Sequence, residues 1–174
     1  MKYSIIILFF ISIYGICQCP PQGDNKNPNI IKFDLLKNRS CFVAKNKANA
    51  CNFSDLLHDS IQDTSLIYVD AYITLVKISG PESCECHIDN PDYEDYHIYI
   101  AATNTKDKKQ NQIIEVTRYS RQFNKNLTFK YIKSLIGQKV RIYGYIFFDQ
   151  EHKSANWRAG IEEIHPVFFI DKLK

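Results

Sequence analysis

From residue 66 onward, apolar and polar positions alternate with period two, the mark of half-buried strands. A first strand is predicted over 66–78. Ile67, Val69, Ala71, Ile73 and Leu75 fall on one face, and Tyr68, Asp70, Tyr72, Thr74 and Val76 on the other. Gly80-Pro81 ends it. A second strand is expected over 96–102, where Ile98 and Ile100 alternate with His97 and Tyr99, and a third over 113–118. A fourth, over 139–148, sets Val140, Ile142, Gly144, Ile146 and Phe148 against Arg141, Tyr143, Tyr145 and Phe147. A fifth, over about 157–164, should stop or bend at His165-Pro166, because proline removes a ladder donor; 167–170 reads as its continuation. Between the third and fourth strands the period lengthens. Asn126 is placed to cap a helix over 127–136 that Gly137 stops, with Phe129, Ile132, Leu135 and Ile136 on one face.

Three strands, a helix and two strands make a mainly β fold. The arrangement that suits it is a five-stranded, OB-fold-like Greek-key barrel with its helix between strands three and four. A mixed sandwich is the alternative, and a single crossover helix argues against a parallel α/β sheet. Upstream, residues 20–31 are rich in Pro, Asn and Gly and read as a linker, whereas 32–64 carry weak helical patterning, with Ser54 as a cap. The expected organisation is a signal peptide over 1–17, a linker and partly helical extension over 18–64, and the barrel over 65–174.

The signal peptide rests on Lys2 ahead of an apolar run over 5–16 and a polar, Pro-rich stretch after Cys17, a run short for a membrane span. It implies export to a periplasmic or extracellular compartment, with no membrane span in the mature chain. A lipid anchor on Cys17 is the minority alternative, since Ile16 is bulky beside it. An oxidising compartment lets cysteines pair. Cys41–Cys51 is the simplest bridge, while Cys84 and Cys86, one residue apart, suit a strained disulfide, a redox couple or metal ligation.

With 174 residues, 45% hydrophobic and 24% charged, the chain is neither disordered nor collagen-like, and there is little room for two catalytic domains. Its net charge of +3 is unevenly spread. Residues 81–97 carry −6, and residues 103–141, with ten basic and two acidic side chains, carry +8. A basic stripe beside aromatic rings is how a groove holds a single-stranded backbone and stacks its bases. The candidate binding residues are therefore Tyr68, Tyr72, Tyr99, Arg141, Tyr143 and Tyr145, with Trp157 and Arg158 from the loop between strands four and five. An ordinary solvated surface explains the same residues.

Glu82-Ser83-Cys84-Glu85-Cys86-His87 concentrates two thiols and an imidazole. With His97 or His165 they form a candidate zinc set (Cys84, Cys86, His87, His97, His165), against a structural disulfide. If the chain were a metal-dependent hydrolase, Glu163 would be a base and Arg158 a phosphate clamp.

The segments Gly80-Pro81-Glu82-Ser83-Cys84-Glu85-Cys86-His87, Asn156-Trp157-Arg158-Ala159 and Glu163-Ile164-His165-Pro166-Val167, with Leu36-Lys37-Asn38-Arg39 upstream, resemble an uncharacterised family of exported bacterial OB-fold-like proteins. So do Asp95-Tyr96-His97-Ile98, Ile114-Glu115-Val116-Thr117, Gly137-Gln138-Lys139-Val140-Arg141-Ile142-Tyr143-Gly144 and Phe148-Asp149-Gln150-Glu151-His152. The resemblance spans roughly residues 35–168 and implies the barrel and, by fold analogy, nucleic-acid binding; it carries no catalytic residues. The chain departs from it at Glu162, where tryptophan is common, and at Arg118, where proline is common. The expected function is an exported binding module for single-stranded nucleic acid or another extended anionic ligand. The alternatives are a non-catalytic envelope protein with structural Cys and His motifs and, behind it, the metal-dependent hydrolase.

Overall fold

The computed structural model describes residues 19–40, 43–57, 61–150 and 158–174. Six strands are present: β1 (Asn49–Cys51), β2 (Leu66–Ile78), β3 (Tyr96–Ala101), β4 (Gln112–Val116), β5 (Lys139–Phe148) and β6 (Glu162–Lys172). The last five close on themselves in the order β2-β3-β4-β6-β5, with β5 returning to β2. All barrel pairs are antiparallel except β4 with β6. That closed order, with helix between the third and fourth barrel strands, makes this an OB-fold-like barrel. β1 lies outside it, parallel to β2.

The barrel interior is the apolar parity of each strand: Ile67, Val69, Ala71 and Ile73 from β2, Ile98 and Ile100 from β3, Ile114 and Val116 from β4, Val140, Ile142 and Ile146 from β5, and Ile164, Val167 and Ile170 from β6. In β2 the expected alternation holds only to Ile73. The register against β3 shifts between Ile73 and Leu75, a bulge that inserts one residue and reverses the two faces beyond it. Val76 therefore turns inward, 6% exposed, and Leu75 turns out, 42% exposed.

Three further expectations need correction. The third strand ends at Val116 because Thr117 caps a helix, α2 (Arg118–Phe123), its hydroxyl accepting from the Ser120 N–H at 3.1 Å. The helix expected over 127–136 is shorter, α3 (Phe129–Ser134), capped by Thr128 rather than Asn126. The last strand begins later than expected, at Glu162, and continues past Pro166 to Lys172. Its register against β5 shifts on both sides of Gly144, so the residue with no N–H sits where the ladder is already broken. Gly144 permits this close approach, since a Cβ there would lie 2.4 Å from Ile164 Cγ2 and 2.6 Å from the Pro166 carbonyl oxygen.

The extension is not a loose leader to the barrel. Its helix, α1 (Pro28–Lys37), starts inside the stretch read as linker, with Asn27 as cap and proline at its start. Leu56, in the 3-10 turn Phe53–Leu57, is fully buried in the barrel core. Cys19 is disulfide-bonded to Cys86 in the β2–β3 loop. The Asn38 amide donates to the Cys84 carbonyl at 2.7 Å, and Ser83 donates to Asp34 at 3.2 Å. Among the described residues no helix is long and apolar enough to cross a membrane.

Candidate ligand cleft

The outward parity of β2, β3, β4 and β6 aligns two rows of side chains. In one, Lys77 pairs with His97 and His97 with Glu115, and the register of β4 on β6 puts His165 next. In the other, Leu75 pairs with Tyr99, Tyr99 with Ile113, Ile113 with Glu163, and Glu163 with Phe147. Two loops frame this face, the β2–β3 loop with Glu82 and Asp95 and the β5–β6 loop with Asp149 and Arg158. α1 contributes Lys37, whose Nζ is 3.3 Å from Glu82 and lies over the Phe147 ring. Between them is a cleft of about 180 Å³ lined by Lys37, Lys77, Glu82, His97, Ile113, Glu115, Asp149 and Glu163. In an OB-fold, this strand face and these loops are where ligands bind.

The cleft is a dense ionic network. His97 Nε2 is 3.1 Å from Glu115 and 3.7 Å from Glu82. His165, fully buried, has Nδ1 3.3 Å from Glu115 and 3.6 Å from Glu163, and Nε2 3.5 Å from Asp95. Arg158 bridges the loop to the floor, 2.9 Å from Asp149 on one side and paired with Glu163 on the other. Burial disfavours the charged form of His97, but the Glu115 carboxylate outweighs it and holds the ring up to about 11. His165 is likewise raised to about 10: burial disfavours the charged ring, but Glu115, Asp95 and Glu163 together outweigh it. Burial pushes the Glu85 carboxyl up to about 9, and the Asp95 carboxylate adds to it. Lys37 stays charged despite burial, because Glu82 faces it.

The cysteine set drawn from sequence does not assemble. Cys86 is bonded to Cys19, which removes it as a ligand and also rules out a Cys84–Cys86 bridge. Cys84 keeps a thiol, buried and held protonated by desolvation. His87 points away, exposed, with Nδ1 3.2 Å from Asp24. Of that set only His97 lines the cleft, beside Glu163; His165 lies buried beneath it against Glu115 and Glu163, and Arg158 holds Glu163. Cys51 carries a free thiol; Cys41, its expected partner, lies outside the described residues, as do Cys17 and Trp157.

The tyrosine face divides. Tyr68, Tyr72, Tyr143, Tyr145 and Arg141 lie on the outer surface of β2 and β5, away from the cleft. There Arg39 stacks on Tyr145 at 4.2 Å, and Lys45 lies over Tyr143 at 5.3 Å and over Phe169 at 4.8 Å. Arg141 is committed to Asp70 at 2.7 Å and packs over Tyr68. The extension thus covers part of the surface expected to stack bases. Tyr99 is separate. It lines a hollow of about 260 Å³ with Thr74, Leu75, Thr105, Lys106, Lys108 and Asn111, and Lys77 lies 5.4 Å from its ring centroid. The +8 stretch does not form one stripe either: Arg118 is buried against the Cys19 carbonyl, while Lys106, Lys108 and Lys109 are exposed in the β3–β4 loop.

Sequence reasoning missed Lys37, Glu82, Asp95, Glu115 and Asp149 as site residues. Glu115 had a signal, a lone carboxylate alternating with Ile114 and Val116 in a strand whose other parity is apolar.

No family model and no curated protein matches the chain. Among solved structures it is similar to the aspartyl-tRNA synthetase from Entamoeba histolytica, with TM-score 0.44 and 10% identity over 75% of this chain and 23% of that one. It is also similar to "a putative aspartyl-tRNA synthetase" from Leishmania major Friedlin, with TM-score 0.44 and 9% identity over 75% and 21% of the two chains. The chain spans less than a quarter of the length of either.

Proposed function

We propose that this chain is an exported OB-fold binding module for single-stranded nucleic acid, which it takes on the outer face of β2 and β3 beside the β3–β4 loop. The observation that carries the reading is the hollow between Leu75, Tyr99, Lys106 and Lys108. It offers an apolar wall for a base or sugar ring and two ammonium groups at the mouth for phosphates, and Lys77 extends the positive edge along β2. The polyanion runs over this half of the face. It avoids the neighbouring cleft, where Glu82, Glu115, Asp149 and Glu163 would repel phosphate. The Cys19–Cys86 bridge supports export, since disulfides persist in oxidising compartments.

The test is a titration of labelled oligothymidylate at low salt, followed by fluorescence anisotropy. Binding should weaken steeply as salt rises, and Lys106→Ala with Lys108→Ala should reduce the salt slope by about 1 for each phosphate left without its ammonium. Flat titrations at low salt would remove the reading. Binding of an anionic glycan in preference to the oligonucleotide would redirect it to that polymer.

A further inference from the structure

We propose that Asp95, Glu115 and His165 hold a divalent transition-metal ion, of the zinc class, at the floor of the cleft. This does not rest on the nucleic-acid reading: it concerns the carboxylate-lined half of the face and stands or falls on metal binding alone.

The three residues come from separate parts of the barrel: Asp95 from the end of the β2–β3 loop, Glu115 from β4 and His165 from β6. One donor atom from each lies within 4.8 Å of the other two. Bonds of about 2.0–2.2 Å to a shared ion need these atoms somewhat closer, so ligation takes a small inward adjustment of side chains already converging. A second observation points to a cation. Both Asp95 oxygens, Glu115 Oε2 and both His165 nitrogens are shut off from solvent and have no hydrogen-bond partner among the described residues. The contacts at 3.3–3.6 Å between the ring and its carboxylates lack hydrogen-bond geometry. Folded proteins leave few buried polar atoms unsatisfied, and here five of them belong to three side chains that offer donor atoms within 4.8 Å of one another.

His165 Nε2 faces Asp95 at 3.5 Å, whereas Nδ1 lies 3.3 Å from Glu115 and 3.6 Å from Glu163, whose other oxygen Arg158 holds. Ligation through Nε2 therefore requires the Glu115 carboxylate to swing from Nδ1 toward the ion and leaves Glu163 to close on the Nδ1 proton. A carboxylate behind a ligating imidazole fixes its tautomer and raises its basicity. Of the three residues Glu115 lines the cleft, so the ion's route in from solvent passes its carboxylate. One imidazole with two carboxylates suits zinc or manganese better than calcium, which prefers a cage of six to eight oxygens. Neither Cys84 nor Cys86 belongs to this donor group.

The experiment uses the full disulfide-bonded chain, stripped with chelator and titrated with Zn²⁺ alone by calorimetry and with Co²⁺ by visible absorption. The expected result is one equivalent bound. Affinity should drop by about tenfold or more in Glu115→Gln and in Asp95→Asn, each first shown to keep the native circular dichroism. His87→Ala should bind like the wild type. If both variants misfold, ring-nitrogen shifts of the wild type decide: Zn²⁺ must move His165 Nε2 and leave His87 unchanged. Absence of stoichiometric binding by the wild type, undiminished binding by both folded variants, or a zinc shift at His87 in place of His165 overturns the proposal.

Discussion

His97 and Glu115 face each other as register partners on β3 and β4, with Nε2 of one 3.1 Å from Oε1 of the other. The pair is nearly withdrawn from water, so the carboxylate acts on the imidazole with little screening. A base whose folded pKa is raised, here to about 11 from an ordinary 6.5, adds stability that is complete below the lower value and is lost as pH climbs through the upper one. In chelator-containing buffer, the His97 ring resonances should therefore stay those of an imidazolium from pH 6 to 9. A His97 midpoint near neutrality would refute the pairing.

Glu85 has the opposite consequence. Its carboxyl is held up to about 9 by burial and by Asp95. An acid raised in the folded state keeps a proton that the unfolded chain has already released, so stability falls as pH rises from the ordinary carboxylate range toward about 9. Glu85→Gln retains an oxygen to accept the Glu82 N–H and removes the ionisable group. In chelator, urea midpoints of the variant should exceed those of the wild type at pH 8 and match them near pH 4. A wild-type stability that rises across this interval while the variant's stays flat would contradict the assignment.

Arg158 is 5% exposed and ties Asp149 of the β5–β6 loop to Glu163 of β6. Removing one partner from a buried ionic cluster leaves charge without compensation, at a cost of about 3–5 kcal/mol. Arg158→Met should lose stability on that scale in urea denaturation. Adding Asp149→Asn and Glu163→Gln to the same chain should recover much of the loss. A single variant within about 1 kcal/mol of wild type would show that the cluster is not closed in solution.

The Cys19–Cys86 bridge spans 67 positions. In the chain-entropy account, a loop of that size stabilises by about 4 kcal/mol. Cys19→Ala should lower the urea midpoint accordingly and, by loosening the loop that carries Glu82 and Asp95, weaken whatever the cleft binds. Unchanged stability together with unchanged hydrogen exchange in residues 79–95 would mean that the Asn38 and Asp34 contacts suffice without the bridge.

The barrel was legible in the sequence because each strand shows a single apolar parity, from Ile98 and Ile100 to Val140, Ile142 and Ile146. The site was legible only in fragments. His97, His165, Glu163 and Arg158 could be named, but not their neighbours, because register between strands distant in sequence is set by pairing, which leaves no local trace. Glu115 meets His165 only through the parallel β4–β6 pair, and the β2 bulge that swaps Leu75 and Val76 has no Gly or Pro to announce it. Cysteine pairing was illegible for a related reason. Spacing favoured near neighbours, whereas packing of α1 beside the β2–β3 loop brings Cys19 to Cys86.

That bridge makes the first part of the chain into a covalent ring holding α1, β1, β2 and one wall of the cleft. A protease that cuts once inside the ring, for instance at the exposed Lys45–Lys47 turn, releases no fragment. The nicked halves travel together until a reductant separates them.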